Sequence, residues 1–221
     1  MQHRPSPNFD NRFGEGVPNM LVLHYTGMEA AEAALARMCD PKTKVSAHYL
    51  IDTNGAITVL VEEGKRAWHA GLAYWQGETD INSVAIGIEI HNPGHGFGYV
   101  PFPEPQIDSL ITLVKDILGR HEIPADRVLG HSDIAPARKD DPGELFPWKR
   151  LAREGIGRWP KKSGPSKPAD QMILRDLMTQ FGYDPGAPLE KIIKAFQRHW
   201  QPEKVDGVAD EVTWGRLRAL L

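Results

Sequence analysis

The chain has 221 residues, 41% hydrophobic and 25% charged, with a formal net charge of −3 and a single cysteine. No window approaches the ~18 uninterrupted apolar residues of a membrane-spanning helix, so no membrane span is expected, and without a dense Lys/Arg stripe nucleic acid is not an expected partner. Cys39 alone cannot form an intramolecular disulfide, and in its amphipathic surroundings it reads as a small buried or half-buried side chain.

In chain order, Met20–His24, Ala47–Asp52, Ala56–Val61 and Val84–His91 have the short apolar or alternating character of strands. Asn54-Gly55 is placed to turn the second into the third as a hairpin. Glu29–Met38 and Gln106–His121 carry the i, i+3, i+4 spacing of helices, the latter through Ile107, Leu110, Ile111, Val114 and Leu118. This alternation predicts an α/β fold with a central mixed β-sheet flanked by helices over residues 1–160. Pro, Gly, Ser and Lys then interrupt the apolar pattern, so 161–168 reads as a linker. Residues 169–221 are purely helical in pattern and predict a small all-α three-helix bundle. Its apolar positions are Met172, Ile173, Leu177 and Phe181, then Ile192, Ile193, Phe196 and Trp200, then Val212, Leu217, Leu220 and Leu221, with Asp210 as the cap of the third helix. About 55 residues of this kind can fold alone only marginally.

Two histidines stand where apolar runs open into loops. His24 ends Met20-Leu21-Val22-Leu23, and His131 follows Val128-Leu129-Gly130, with Asp141 ten residues later. Functional groups concentrate at such places. Two imidazoles and one carboxylate leave a zinc ion one open position, the pattern of a catalytic rather than a structural site, although these ligand types do not exclude other divalent ions. Spacing alone carries this weakly, because there is no HExxH or CxxC pair and a lone strand-end histidine is usually structural.

The local strings carry more. Gly130-His131-Ser132-Asp133-Ile134-Ala135-Pro136-Ala137-Arg138-Lys139-Asp140-Asp141-Pro142-Gly143 resembles the metal and catalytic loop of the AmpD/AmiD branch of N-acetylmuramoyl-L-alanine amidases. The resemblance extends through Leu23-His24-Tyr25-Thr26, Val45-Ser46-Ala47-His48-Tyr49, Ala67-Trp68-His69-Ala70-Gly71 and Ile86-Gly87-Ile88-Glu89-Ile90. It implies His24, His131 and Asp141 as zinc ligands, with Glu89 and Lys139 beside the metal. Glu89 would then act as general base and acid, and Lys139 would hold the oxyanion. Taken by themselves, a strand-end Glu is usually solvated and a Lys beside two aspartates is usually a surface ion pair. Related zinc amidases of the phage-lysozyme and recognition-protein type use a Tyr in the strand after the hairpin and often a Cys ligand. Leu60 and Asp141 stand at those places here and favour the AmpD/AmiD branch.

His48, Trp68, His69, Trp75, Asn82 and Asn92 are candidates for lining a sugar-peptide groove, the tryptophans being equally plausible as packing residues. Asp133 is read as a carboxylate that orients a ligand imidazole or caps the next turn. His3, His91, His95, His121 and His199 are read as structural or solvent-exposed, and Gly94–Gly98 as a rim loop. Phe181-Gly182-Tyr183, Ala195-Phe196-Gln197, Asp206-Gly207 and Thr213-Trp214 resemble the three-helix peptidoglycan-binding domain, which implies retention on the polymer. The implied substrate is peptidoglycan or a muropeptide, and the rival expectation is a recognition protein that binds muropeptide without cleaving it. Met1–Gly16 has no apolar run after a basic start. The expected compartment is therefore the cytoplasm, or the periplasm if a leader precedes this sequence.

Overall fold

The structure, a computed structural model, describes residues 1–14, 16–160, 164 and 170–221. The expected linker, 161–168, lies outside the described residues except for Gly164. The strands are β1 (Gln2–His3), β2 (Phe9–Asn11), β3 (Met20–Tyr25), β4 (Tyr49–Ile51), β5 (Ile57–Val59), β6 (Lys65–Ala67), β7 (Ala85–Ile90) and β8 (Val128–Gly130). The helices are α1 (Ala31–Cys39), α2 (Ile81–Val84), α3 (Glu104–Arg120), α4 (His131–Ile134), α5 (Trp148–Arg153), α6 (Gln171–Phe181), α7 (Leu189–Trp200) and α8 (Glu211–Leu220). No helix among the described residues is long and apolar enough to cross a membrane.

Six strands form one mixed sheet in the order β1-β5-β4-β7-β3-β8, and β2 pairs with β6 in a separate antiparallel ribbon. The central strands β4, β7, β3 and β8 run parallel, while β5 returns antiparallel to β4 through the Asn54-Gly55 turn. Gly55 has φ +84°, and a Cβ there would lie 2.6 Å from the Pro105 carbonyl oxygen, so the turn and the docking of α3 both require glycine.

The two faces of the sheet separate by the alternation of its strands. Leu21, Leu23, Ile86, Ile88 and Ile90 point one way and form a core with Ile107, Leu110, Ile111, Val114 and Ile117 of α3. That helix begins two residues before the expected Gln106, since Pro105 is pre-set for the first helical turn, where no amide donor is needed. Met20, Val22 and Ala85 point the other way, into a second core. Beside it, α1 lays Ala31, Ala34 and Met38 on Leu50, Leu60 and Ala67.

The second core joins the sheet to the C-terminal helices. Met20, Val22, Trp75, Ile81 and Leu129 belong to the same cluster as Leu174, Met178, Phe181, Tyr183, Phe196, Trp200, Trp214 and Leu217. The helices α6 to α8, whose pattern over 169–221 suggests a three-helix bundle, share one core among themselves and with a face of the sheet. Asp210 caps α8 through the Val212 and Thr213 amides, as its position suggests. Met172 and Ile173, expected inside, are 75% and 48% exposed, because the buried stripe of α6 runs through Leu174, Met178 and Phe181.

Trp75 sits at this junction, 1% exposed, with its ring edge-on to Tyr183 at 5.2 Å and Phe181 at 5.8 Å. A continuous core predicts one cooperative thermal transition for the whole chain, and Trp75→Ala should cost ~3–5 kcal/mol without splitting it. Calorimetry that resolved two independent transitions, with Trp75→Ala moving neither, would contradict this packing.

Candidate active site

Strand register assembles the site. Across β3 and β7, His24 is the partner of Glu89, and across β3 and β8, Leu23 is the partner of Gly130. His131 therefore emerges beside His24 one residue later, and all three functional side chains reach the carboxyl ends of parallel strands, where α/β folds place ligand sites. The loop after α4 then folds back, with the Ser132 amide donating to the Asp141 carbonyl at 2.8 Å, and returns Asp141 to the two imidazoles.

His24, His131 and Asp141 are all buried and converge. His24 Nδ1 lies 2.9 Å from His131 Nδ1 and 3.2 Å from Asp141 Oδ2, and His131 Nδ1 lies 3.1 Å from the same oxygen. His131 Nε2–H donates to the Ala70 carbonyl at 3.0 Å, so the neutral ring turns a lone pair toward the other two atoms. With His24 Nδ1 likewise a lone-pair atom, its Nε2–H donates to His69 Nδ1 at 3.1 Å. Three acceptors facing one another repel unless a cation lies among them. Their separations are close to the ~3.3 Å edge of a tetrahedron with ligands ~2.0 Å from its centre. The donor set therefore fits a metal ion, and this group can hold one.

The electrostatics suit that state. Burial, reinforced by the neighbouring His131, lowers the His24 imidazole to about 4, so it is neutral at neutral pH. Burial alone would raise Asp141; a proton shared with His131 and His24 holds the carboxyl below its ordinary range, and between neutral rings that turn lone pairs toward it the stabilising charge would come from a bound cation. Burial, with the Asp141 charge adding to it, pushes Glu89 well above its ordinary value, against the opposing pull of Lys139. Glu89 Oε2 is buried and has no hydrogen-bond partner.

Two cavities meet at this group. One, of about 320 Å³, is lined by Tyr25, Met28, Arg37, Met38, His69, Glu89, His131, Lys139 and Asp141. The other, of about 500 Å³, adds Asp10, Lys44, Arg66, Trp68, Asn82 and Arg138 and shares His69, His131 and Lys139 with the first. A further cavity, of about 1040 Å³, lies apart from the group, walled by Lys149, Arg153, Arg158, Trp159 and Arg216.

The other expected groove residues divide. Trp68 lines the larger of the two site cavities, and Asn82 holds the wall by accepting the His69 and Ala70 amides through Oδ1. His69 touches His24 directly. Three are not groove residues. His48 is fully buried, its Nδ1 accepting the Gly87 amide while Nε2–H donates to the Lys65 carbonyl. Trp75 lies in the junction core. Asn92, 1% exposed, ties a turn by donating to the Val100 carbonyl and accepting the Gly94 amide. Asp133 makes no hydrogen bond to a ligand imidazole; its carboxylate takes the Gly130 amide, the Tyr183 hydroxyl from the turn after α6 and His199 of α7.

Sequence reasoning passed over two residues. Arg138 Nη2 donates to the Ala70 carbonyl at 2.8 Å, the same oxygen that orients His131, so one guanidinium couples the loop to the groove wall. Gly87 is the second: a Cβ there would lie 2.5 Å from His69 Cγ. A glycine inside an apolar strand was the available signal, since it marks a close approach of another group.

The fold and site define an α/β protein with a buried group that can hold a metal, open to a groove, the arrangement of a hydrolase. A family model described as N-acetylmuramoyl-L-alanine amidase matches residues 14–144. N-acetylmuramoyl-L-alanine amidase AmiD of Escherichia coli (strain K12) is 40% identical, covering 91% of this chain and 82% of its own length. 1,6-Anhydro-N-acetylmuramyl-L-alanine amidase AmpD of Enterobacter cloacae is 34% identical over 68% of this chain and 87% of its own. The solved complex of Escherichia coli AmiD with anhydro-N-acetylmuramic acid-L-Ala-D-gamma-Glu-L-Lys superposes with a TM-score of 0.84 at 36% identity, covering 97% of both chains. The chain belongs to the N-acetylmuramoyl-L-alanine amidase family.

Gly87→Ala should displace His69 and, through it, His24. We expect about tenfold weaker metal affinity in chelator competition, as for loss of an outer partner of a metal-ligating histidine. Unchanged affinity in a folded variant would show that His69 does not hold His24 in place.

Proposed function

We propose that this chain is a zinc-dependent amidase hydrolysing the bond between the lactyl group of N-acetylmuramic or anhydro-N-acetylmuramic acid and L-Ala, in peptidoglycan or muropeptides, as part of cell-wall turnover and recycling. The observation that carries this reading is the buried His24–His131–Asp141 triangle, with Glu89 and Lys139 at its edge, inside the stretch matched by the amidase family model.

Zinc suits the nitrogen-rich, three-ligand set and supplies, when bound, the Lewis acidity that activates water and polarises a carbonyl. The chain supplies the rest. Glu89, with a raised proton affinity and a free buried oxygen, accepts a proton from the attacking water and delivers it to the leaving nitrogen. The carbonyl carbon gains the water oxygen, the C–N bond breaks, and the products are a muramic carboxylate and a peptide beginning with L-Ala. Lys139, which lines both site cavities, holds the charge that develops on the carbonyl oxygen. Lys44, Arg138 and Lys139 make the larger cavity cationic and suit it to the stem-peptide carboxylates, Arg66 being paired with Asp10 and Asp80, while Trp68 offers an apolar face to the sugar. The helices of 170–221 are proposed as a peptidoglycan-binding unit that concentrates cleavable bonds by retention on the polymer.

Mass-spectrometric product analysis of anhydro and reduced muropeptides with native, chelated and zinc-restored protein tests this reading. Release of free peptide should cease on chelation and return with zinc. Lys139→Ala should lose ~2.7–4 kcal/mol of transition-state stabilisation, and Glu89→Gln about 10²–10⁴-fold in kcat, both with zinc still bound. Binding of muropeptide without release by the zinc-loaded protein would favour a recognition protein instead.

A further inference from the structure

The loop that carries His131, Lys139 and Asp141 is held at both ends by the C-terminal helices. Asp133, two residues after His131, is completely buried, and its carboxylate collects three donors. The Gly130 amide donates to Oδ2 at 2.8 Å, the Tyr183 hydroxyl donates to Oδ1 at 3.0 Å, and His199 Nδ1–H donates to Oδ2 at 2.7 Å. Two of the three come from outside the region matched by the family model. His199, which sequence reasoning left as structural or exposed, is 2% exposed and held as one plate of a stack, 3.7 Å from Trp148 and 3.6 Å from Trp200. At the far end of the loop, Arg198 Nη2 pairs at 2.6 Å with Asp140, the residue between Lys139 and Asp141.

We propose that Tyr183, Arg198 and His199 are positioning residues for the loop of residues 130–141, so that the C-terminal helices are built into the reaction centre as well as serving the polymer. The inference rests on the roles given above to His131, Lys139 and Asp141. Its physical basis is tolerance: reacting groups displaced by about 1 Å can lose about 10²-fold in rate, and a buried carboxylate stripped of donors must move or be solvated. The stack confines the plane of the His199 ring and the bond to Asp133 selects its orientation within that plane, while Arg198 ties down the segment that bears Lys139. The AmpD relative of Enterobacter cloacae aligns with only 68% of this chain, so a shorter chain can belong to the family. In this chain the support of Asp133 comes from α7 and from Tyr183, which follows α6, and cutting the helices away would leave that carboxylate two donors short.

The test uses the full-length, zinc-loaded protein and four variants: Tyr183→Phe, Arg198→Gln, His199→Leu and His199→Asn. The readouts are kcat and KM on a soluble muropeptide, zinc affinity by chelator competition, and hydrogen exchange of the 130–141 amides. His199→Leu should lower kcat about tenfold or more with KM within about twofold, weaken zinc binding and speed exchange in the loop, while His199→Asn, whose amide reaches the Nδ1 position, restores most of the loss. Tyr183→Phe and Arg198→Gln should show smaller losses of the same kind, and they decide the matter if His199→Leu does not fold. If the folded variants keep parental kcat, zinc affinity and loop exchange and lose only retention on insoluble polymer, the proposal is overturned. If the parent releases no peptide, the amidase reading fails separately, and zinc affinity with loop exchange still decides whether these residues position the loop.

Discussion

Because β7, β3 and β8 run parallel in one register, Glu89, His24 and the residue after Gly130 reach the same end of the sheet on neighbouring strands about 4.8 Å apart. Everything else at the site adapts to that. Asp141 needs a loop that leaves the sheet and returns, and the Ser132–Asp141 backbone bond closes it. His69 needs the space over Gly87, because the strand beneath it cannot carry a side chain. A slip of one residue in β3 would turn His24 into the α3 core and bring Leu23 to the site.

The same alternation explains why one face of the sheet serves both packing and chemistry. Met20, Val22 and Ala85 lie on it as apolar residues, and His24, Gly87 and Glu89 continue it toward the strand ends. The C-terminal helices cover the apolar half, and the tips of α7 and the turn after α6 reach the loop beside the polar half. Asp133 is where these two demands meet: a buried carboxylate shared by the loop and the helices. Removing one donor from a buried polar group typically costs ~1–3 kcal/mol, and more where that group is charged. Stability and site geometry are coupled through a single side chain.

Much of this was legible from the residues alone. Asn54-Gly55 marked its hairpin, the 3.6-residue period marked α3, and the histidines closing two apolar runs marked the strand ends, since each signal is local. The role proposed for Glu89 rests on the family strings, because burial decides it and a strand-end glutamate is ordinarily solvated. What could not be read was which side chains of distant segments share a surface. Trp75 and His48 carry groove chemistry in their side chains, yet three-dimensional packing buries one under Tyr183 and the other behind Gly87. Met172 and Ile173 fit a helical apolar stripe that the bundle does not use. His199 gave no sign of its partner 66 residues away, and the short edge strands β1, β2 and β6 have neither the length nor the alternation to announce themselves.

The most direct test of the central claim is zinc stoichiometry together with zinc-edge X-ray absorption on the purified, full-length protein. The account predicts one ion per chain, with two imidazole nitrogens and one carboxylate oxygen at about 2.0–2.2 Å and one position not filled by a protein side chain. A fourth protein ligand, a sulfur ligand from Cys39, or zinc binding that survives replacement of His24 or His131 by alanine would contradict it.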